Sequence, residues 1–164
     1  MKYRRLGKTD LDLSVLGFGA SPLGNVFEEA DEGEGARAVH LAIDHGINFF
    51  DVAPFYGYTL AEERLGRALE GKRQKVFLAT KCGRYEGFDF SYQRVLESID
   101  ESLARLKTDH VDLYQLHDIE FVDREQILHE AIPAALKVKE SGKARYIGIT
   151  GLPVRYLADI ARQV

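Results

Sequence analysis

Asp51, Lys81 and His117 each end or interrupt an otherwise apolar run, in INFFDVAPFYG, VFLATK and VDLYQLH. A buried carboxylate, ammonium or imidazole is costly unless it is paired, so each needs a partner where it sits. For any one of them the bland account is a satisfied group at a strand end. Three at equivalent depth on successive strands point instead to a shared volume, because the C-terminal edge of a parallel α/β sheet gathers the βα loops and faces the ligand. Tyr56 reaches the same volume from the loop after Asp51. A free phenol, with a pKa of about 10, exchanges protons poorly at neutral pH unless a cation stabilises its anion. Lys81 can be that cation, and Asp51 can be the counter-charge that lets Lys81 be buried. His117 is placed to orient a substrate oxygen. The chemistry these types suggest is general acid/base transfer at Tyr56, with Tyr56 and His117 against the substrate.

Two other uses of the same parts stay open. Strand-end lysines can form Schiff bases with carbonyl substrates, which would make the protein a lyase acting through Lys81, although a carboxylate beside Lys81 keeps it charged and opposes this. A partial sheet with open edges can also be an inactive or assembly-forming unit. Cys82 follows Lys81, but alternation along a strand sends it to the opposite face, away from the chemistry. His40, His45, His110 and His129 share no face or ligand spacing and read as surface or helix-end residues, so no metal site is expected. In CGRYEGFDFSYQ, Tyr85 or Phe88 can reach a substrate, or the segment is a plain surface loop ending at Ser91, the expected N-cap of the next helix.

The elements that must position these residues follow a βα rhythm. Leu11, Leu13 and Val15 alternate with Asp12 and Ser14 after the turn-prone Gly7-Lys8-Thr9-Asp10, which predicts a hairpin with one wet face. Strands are then predicted at VLGFG, INFFDVA, VFLATK, VDLYQLH and RYIGIT. Amphipathic helices lie between them, with Leu65 and Leu69 on one face and Val95, Ile99, Leu103 and Leu106 on another; Pro133 marks either a kink in a longer helix or, the favoured reading, a helix start near it. The strand ends near Gly19, Asp51, Lys81, His117 and Thr150 are 32, 30, 36 and 33 residues apart, the length of a strand, a crossover helix and two loops. Five βα units in series fit either an open doubly wound sheet or the front part of an eight-stranded barrel. The final helical stretch, PVRYLADIARQV, has no stop signal, which favours the barrel fragment.

DVAPFYG with AEERLGRAL downstream, then ATKCG, LYQLHD and GKARYIGITG, resembles the aldo-keto reductases in the same order along nearly the whole chain. Within that superfamily GFGASPLG, INFFDVAPFYG, ATKCGRY, GFDFS, LHDIEF and YIGITGLP are most similar to the L-galactose dehydrogenase and aldose 1-dehydrogenase branch. The resemblance implies an α/β fold, a (β/α)8 barrel with an N-terminal hairpin closing its bottom. It implies an NAD(P)-dependent oxidoreductase moving a hydride between the nicotinamide and C1 of an aldose, sugar to lactone, with Asp51, Tyr56, Lys81 and His117 as the catalytic tetrad. It also implies cofactor contacts at Gly19, Ala20 and Asp51, and at Thr150 and Gly151, where many relatives have a Ser-Asn pair on the carboxamide. GFGASPLG is no dinucleotide fingerprint, since Pro22 stands where its third glycine belongs. Such a barrel takes about 250 residues, so residues 1–164 are expected to be a C-terminally truncated barrel domain, the hairpin plus about five βα units, without the part that holds the adenosine half of the cofactor.

Composition narrows the partners. A net charge of -4 offers no basic field for nucleic acid. A single cysteine in 164 residues excludes an internal disulfide and fits a reducing compartment. MKYRRLGKTD lacks the apolar core of a signal peptide, and no run approaches the length needed to span a bilayer. The expectation is a cytoplasmic protein with a small-molecule aldose substrate and NAD or NADP as cofactor. No nucleic-acid or membrane partner is expected, and open sheet edges leave room for self-association.

Overall fold

The computed structural model describes residues 1–163. A two-stranded antiparallel hairpin, β1 (Tyr3–Arg5) with β2 (Asp12–Ser14), precedes a five-stranded parallel sheet. The sheet strands are β3 (Phe18–Gly19), β4 (Phe49–Asp51), β5 (Phe77–Cys82), β6 (Val111–Leu116) and β7 (Ala144–Ile149), paired in chain order. The crossovers contain α1 (Glu32–Asp44), α2 (Leu60–Ala68), α3 (Tyr92–Leu106), then α4 (Arg124–Gln126) and α5 (Ile132–Glu140); α6 (Val154–Ala161) follows β7. This strand order decides between the two architectures. A doubly wound sheet reverses its order at a switch point, so its helices fall on both faces. Here the order never reverses, and right-handed crossovers taken in one direction place every helix on the same face. Each crossover helix packs on the next, α1 on α2, α2 on α3 and α3 on α5. The result is five-eighths of a (β/α)8 barrel wall.

Apolar side chains fill the layer between sheet and helices. Leu65 and Leu69 at the α2 end, and Val95, Ile99, Leu103 and Leu106 of α3, are buried against Leu78, Tyr114 and Leu116. Helix ends follow local chemistry. Asp31 caps α1 by accepting from the Glu34 amide at 2.8 Å, and Gly46 leaves that helix at φ +83°. Gly66 lets α2 and α3 approach: a Cβ there would press on the Arg105 carbonyl and sit 2.8 Å from Leu106 Cα. Neither is a side chain that can swing away. Gly66→Ala is therefore expected to destabilise by about 1–3 kcal/mol, despite the roughly 1 kcal/mol that alanine gains over glycine in a helix. Urea unfolding of the two proteins checks it.

Three local expectations change. The hairpin does not alternate as predicted: Ser14 is buried and Val15 is 57% exposed. The reason is Asn48, whose Oδ1 accepts from the Ser14 amide at 2.7 Å while its own amide donates to Ser14 Oγ at 3.0 Å, drawing Ser14 inward. The α-helix α5 does begin beside Pro133, at Ile132, but not as a free start: it continues a helical stretch that opens at Arg124, capped by Asp123, and passes through a π turn at Ile127–Ala131. A wider turn relieves the clash of the proline ring with the carbonyl four residues back and spares the hydrogen bond it cannot donate. Ser91 does occupy the N-cap of α3, but its side chain makes no cap bond.

The hairpin is fixed to the bottom of the wall. Asp10 accepts from Arg145 at 2.8 and 2.9 Å and from the Tyr146 hydroxyl at 2.8 Å, both at the start of β7. Beneath the site, Glu62 of α2 is fully buried between Thr80 of β5 and Arg105 of α3, whose Nε donates at 2.6 Å.

Candidate active site

Gly19 lies beside Asp51, Asp51 beside Ala79, and Lys81 beside Gln115 in the parallel register. Asp51 closes β4, Lys81 is the penultimate residue of β5, and His117 follows β6. All three are thus at the C-terminal edge of the wall. Tyr56 belongs to the turn after β4, where Gly57, at φ +64°, packs on Gly24 so closely that a Cβ would overlap the Gly24 backbone. That contact seats the loop over the sheet edge.

Lys81 is at the centre of the cluster. Its Nζ donates to Asp51 Oδ2 at 2.6 Å, to the Val52 carbonyl at 2.9 Å and to the Tyr56 hydroxyl at 3.1 Å. Three donors meet three acceptors, so the ammonium is satisfied although its side chain is only 6% exposed. The second Asp51 oxygen accepts from Gln115 Nε2 at 3.2 Å. The nitrogen also lies 4.7 Å from the Tyr56 ring centroid, within cation–π reach. His117 presents its ring at right angles to Tyr56, centroids 5.8 Å apart.

Burial, followed by the charge of Lys81, lowers the His117 pKa to about 4, with Asp118 opposing and Arg84 assisting. The imidazole is neutral at physiological pH. Nδ1 is buried without a partner, while Nε2 is 3.8 Å from Asp118 Oδ2. Placing the proton on Nε2 leaves a lone pair unmatched in the interior rather than an N–H, and aims the donor at the open side. One consequence concerns stability. Between the ordinary value of 6.5 and about 4 the unfolded chain takes up a proton that folded His117 does not. Stability is therefore complete above the ordinary value and declines as pH falls through this window, by about 3 kcal/mol at most. Urea midpoints across the window, compared with His117→Gln, should show the decline lessened in the variant.

The side chain of Cys82 faces the core, fully buried, and burial pushes its thiol up to about 12, so it is inert. Tyr85 has a half-buried ring held under the Arg94 guanidinium at 4.5 Å. Phe88 stacks on Phe121 with centroids 5.1 Å apart, so its loop is anchored to the segment after β6. His40 bonds to the Ala68 carbonyl at 2.9 Å and His45 caps α1.

The nicotinamide candidates divide. At Gly19 a Cβ would meet nothing within 4 Å, leaving an open strip of backbone beside the Asp51 carboxylate. Such a strip suits a flat ring and its ribose hydroxyls. Ala20 is fully buried, its amide bonded to the Asp51 carbonyl at 2.8 Å and its carbonyl accepting from the Leu23 amide at 3.0 Å, so it presents no free group to a cofactor. Thr150 Oγ1 accepts from the Asp118 amide at 3.0 Å, and the space a Gly151 side chain would fill holds the Glu120 carboxylate. Several site neighbours had no apolar-strand interruption to mark them: Arg84, Asp118 and Glu120; Gln115 does interrupt the β6 run but is not among the predicted residues. Only Asp118, adjacent to His117, could have been suspected from position.

A parallel barrel wall with a Tyr–Lys–Asp–His cluster at its C-terminal edge defines a class, and the sequence comparison agrees. Residues 15–164 match the Aldo/keto reductase family, and the chain belongs to it. It is 54% identical to L-galactose dehydrogenase of Arabidopsis thaliana over 158 residues, 94% of this chain and 50% of that protein. It is 34% identical to D-threo-aldose 1-dehydrogenase of a Pseudomonas species, over 93% of this chain and 54% of the relative. Among solved structures, the holo form of an aldo-keto reductase from Bacillus halodurans superposes with a TM-score of 0.88 at 36% identity, over 99% of this chain and 54% of the other. An aldo-keto reductase from Klebsiella pneumoniae in complex with NADPH gives 0.84 at 28% identity, over 99% and 54%. The chain spans about half the length of the relatives it matches.

Proposed function

We propose that residues 1–164 carry the catalytic part of a nicotinamide-dependent oxidoreductase that oxidises an aldose at C1 to its lactone. The observation that carries this reading is Lys81 Nζ, shared between Asp51, the Val52 carbonyl and the Tyr56 hydroxyl. An ammonium so held stabilises negative charge on the phenol oxygen, which makes Tyr56 a base for one direction and an acid for the other. In oxidation Tyr56 takes the proton of the anomeric hydroxyl while the C1 hydride leaves and the C1–O bond becomes a carbonyl. His117 donates from Nε2 to the same oxygen and fixes its direction. A bound NAD or NADP supplies the hydride acceptor. Gly19 and Asp51 would line its nicotinamide end, with Ala20 buried behind them, and Thr150 and Gly151 are offered as further contacts with their present neighbours, Asp118 and Glu120, between.

Aldose oxidation is supported by sugar dehydrogenases among the relatives. The lyase alternative is weakened by the same hydrogen bonds, because an amine with three donors engaged has no lone pair for a carbonyl. Incubation of the protein that carries this chain with L-galactose, other aldoses and each nicotinamide tests the reading. Reduced nicotinamide should accumulate with an equal amount of lactone. No nicotinamide reduction, with borohydride fixing substrate on Lys81, would contradict it.

A further inference from the structure

Arg84 is three residues beyond Lys81, in the short hairpin after β5 where its backbone bridges Phe88. Its guanidinium carbon lies 3.9 Å from the Phe55 ring centroid and 5.8 Å from that of Phe88, and its Nη1 is ion-paired with Asp118 Oδ2. That same Oδ2 is 3.8 Å from His117 Nε2. This exceeds the 2.7–2.9 Å of a charge-assisted hydrogen bond. The Asp118 amide donates to Thr150 Oγ1 at 3.0 Å, its backbone is left-handed at φ +58°, and its other carboxylate oxygen, Oδ1, has only a long contact from the Thr150 hydroxyl at 3.4 Å, so among the described residues Arg84 is the carboxylate's one short partner. A carboxylate hinged next to an imidazole and free to turn would pair with it and favour the imidazolium.

We infer that Arg84 is a positioning residue for His117: stacked on Phe55, its guanidinium pins the Asp118 carboxylate and so withholds the ion pair that would protonate the imidazole and turn Nε2–H away from substrate. The inference rests on the reading of His117 as a neutral donor to the substrate oxygen. Phe55 serves both partners, stacked under the guanidinium and edge-on to the His117 ring at 6.3 Å. The fork geometry of arginine suits this, since one group both stacks on a ring and binds a carboxylate. The other groups facing His117 are Lys81 of β5, which as a cation also disfavours the imidazolium, and the Tyr56 ring from the turn after β4.

The test is the NMR titration of His117 in wild type, Arg84→Met, Arg84→Met/Asp118→Asn and Arg84→Lys, which needs neither substrate nor turnover. Arg84→Met should raise the His117 titration by at least about one pH unit, tenfold in proton affinity. Adding Asp118→Asn should return it to within about half a unit of wild type, because the freed carboxylate is the cause. Arg84→Lys keeps a cation on Asp118, is the milder change for folding, and should also stay within about half a unit. An unchanged titration in Arg84→Met overturns the proposal. A shift that persists in the double variant, or an equally large one in Arg84→Lys, does so too. In the assay, Arg84→Met should lose activity toward acid pH with little change at alkaline pH. Failure of the wild type to oxidise any aldose would count against the dehydrogenase reading alone and leave the titration to decide the role of Arg84.

Discussion

Tyr56→Phe lowers kcat for aldose oxidation by about 100- to 10,000-fold, with KM changed by a factor of a few, on the present account. The variant removes one oxygen and no ring. Lys81 keeps Asp51 Oδ2 at 2.6 Å and the Val52 carbonyl at 2.9 Å, so the buried ammonium remains paired. The loss of a single hydrogen bond at 3.1 Å costs the fold about 1 kcal/mol. What disappears is the group that exchanges the hydroxyl proton, a role that exists only in the transition state. Steady-state kinetics with a urea melt of the same sample separates the two effects. A kcat drop of less than about tenfold would mean that another group moves the proton.

The second large effect is on stability. Arg105→Met leaves the fully buried Glu62 carboxylate with Thr80 as its remaining partner. Breaking a buried pair from one side costs about 3–5 kcal/mol, because the charge left behind is neither solvated nor neutralised. The double variant Arg105→Met/Glu62→Leu should recover much of the loss, since replacing both partners by apolar groups removes the desolvation problem. Denaturant unfolding of wild type, single and double variants measures this. Because Thr80 adjoins Lys81 on β5, the single variant should also loosen the strand that carries the ammonium. Equal stability of wild type and Arg105→Met would show that Glu62 finds another partner or takes up a proton.

Much of this was legible in the sequence because the relevant signals are local. The apolar runs interrupted by Asp51, Lys81 and His117 marked both the strands and the residues that meet at their ends. The five-unit rhythm marked the parallel wall, though not its curvature, which the strand order supplies. The misses have a common cause. Glu62 near a helix start reads as a charge favourable to the helix dipole, yet it is a buried anchor whose partners, Thr80 and Arg105, are 18 and 43 residues away. Ser14 is turned inward by Asn48, 34 residues on. Arg84 and Glu120 sit in loops whose composition resembles that of any surface turn, and only the fold brings them to the site; Gln115 lies within β6, beside Lys81 in register, and goes unmarked because a neutral amide in a strand signals no costly burial. Pro133 was ambiguous in sequence because a start and an irregular interior place the same residue in similar local company.

The central claim is that Lys81 acts through Tyr56 as one proton-transfer unit. The measurement that tests it most directly is a double-mutant cycle of kcat/KM for Tyr56→Phe and Lys81→Met. If the ammonium works by stabilising charge on the phenol oxygen, it has little left to do once that oxygen is gone, so the double variant should fall within about threefold of the weaker single variant. Losses that multiply, the double variant worse by the full product of the two singles, would show that Lys81 and Tyr56 act independently and would contradict the account.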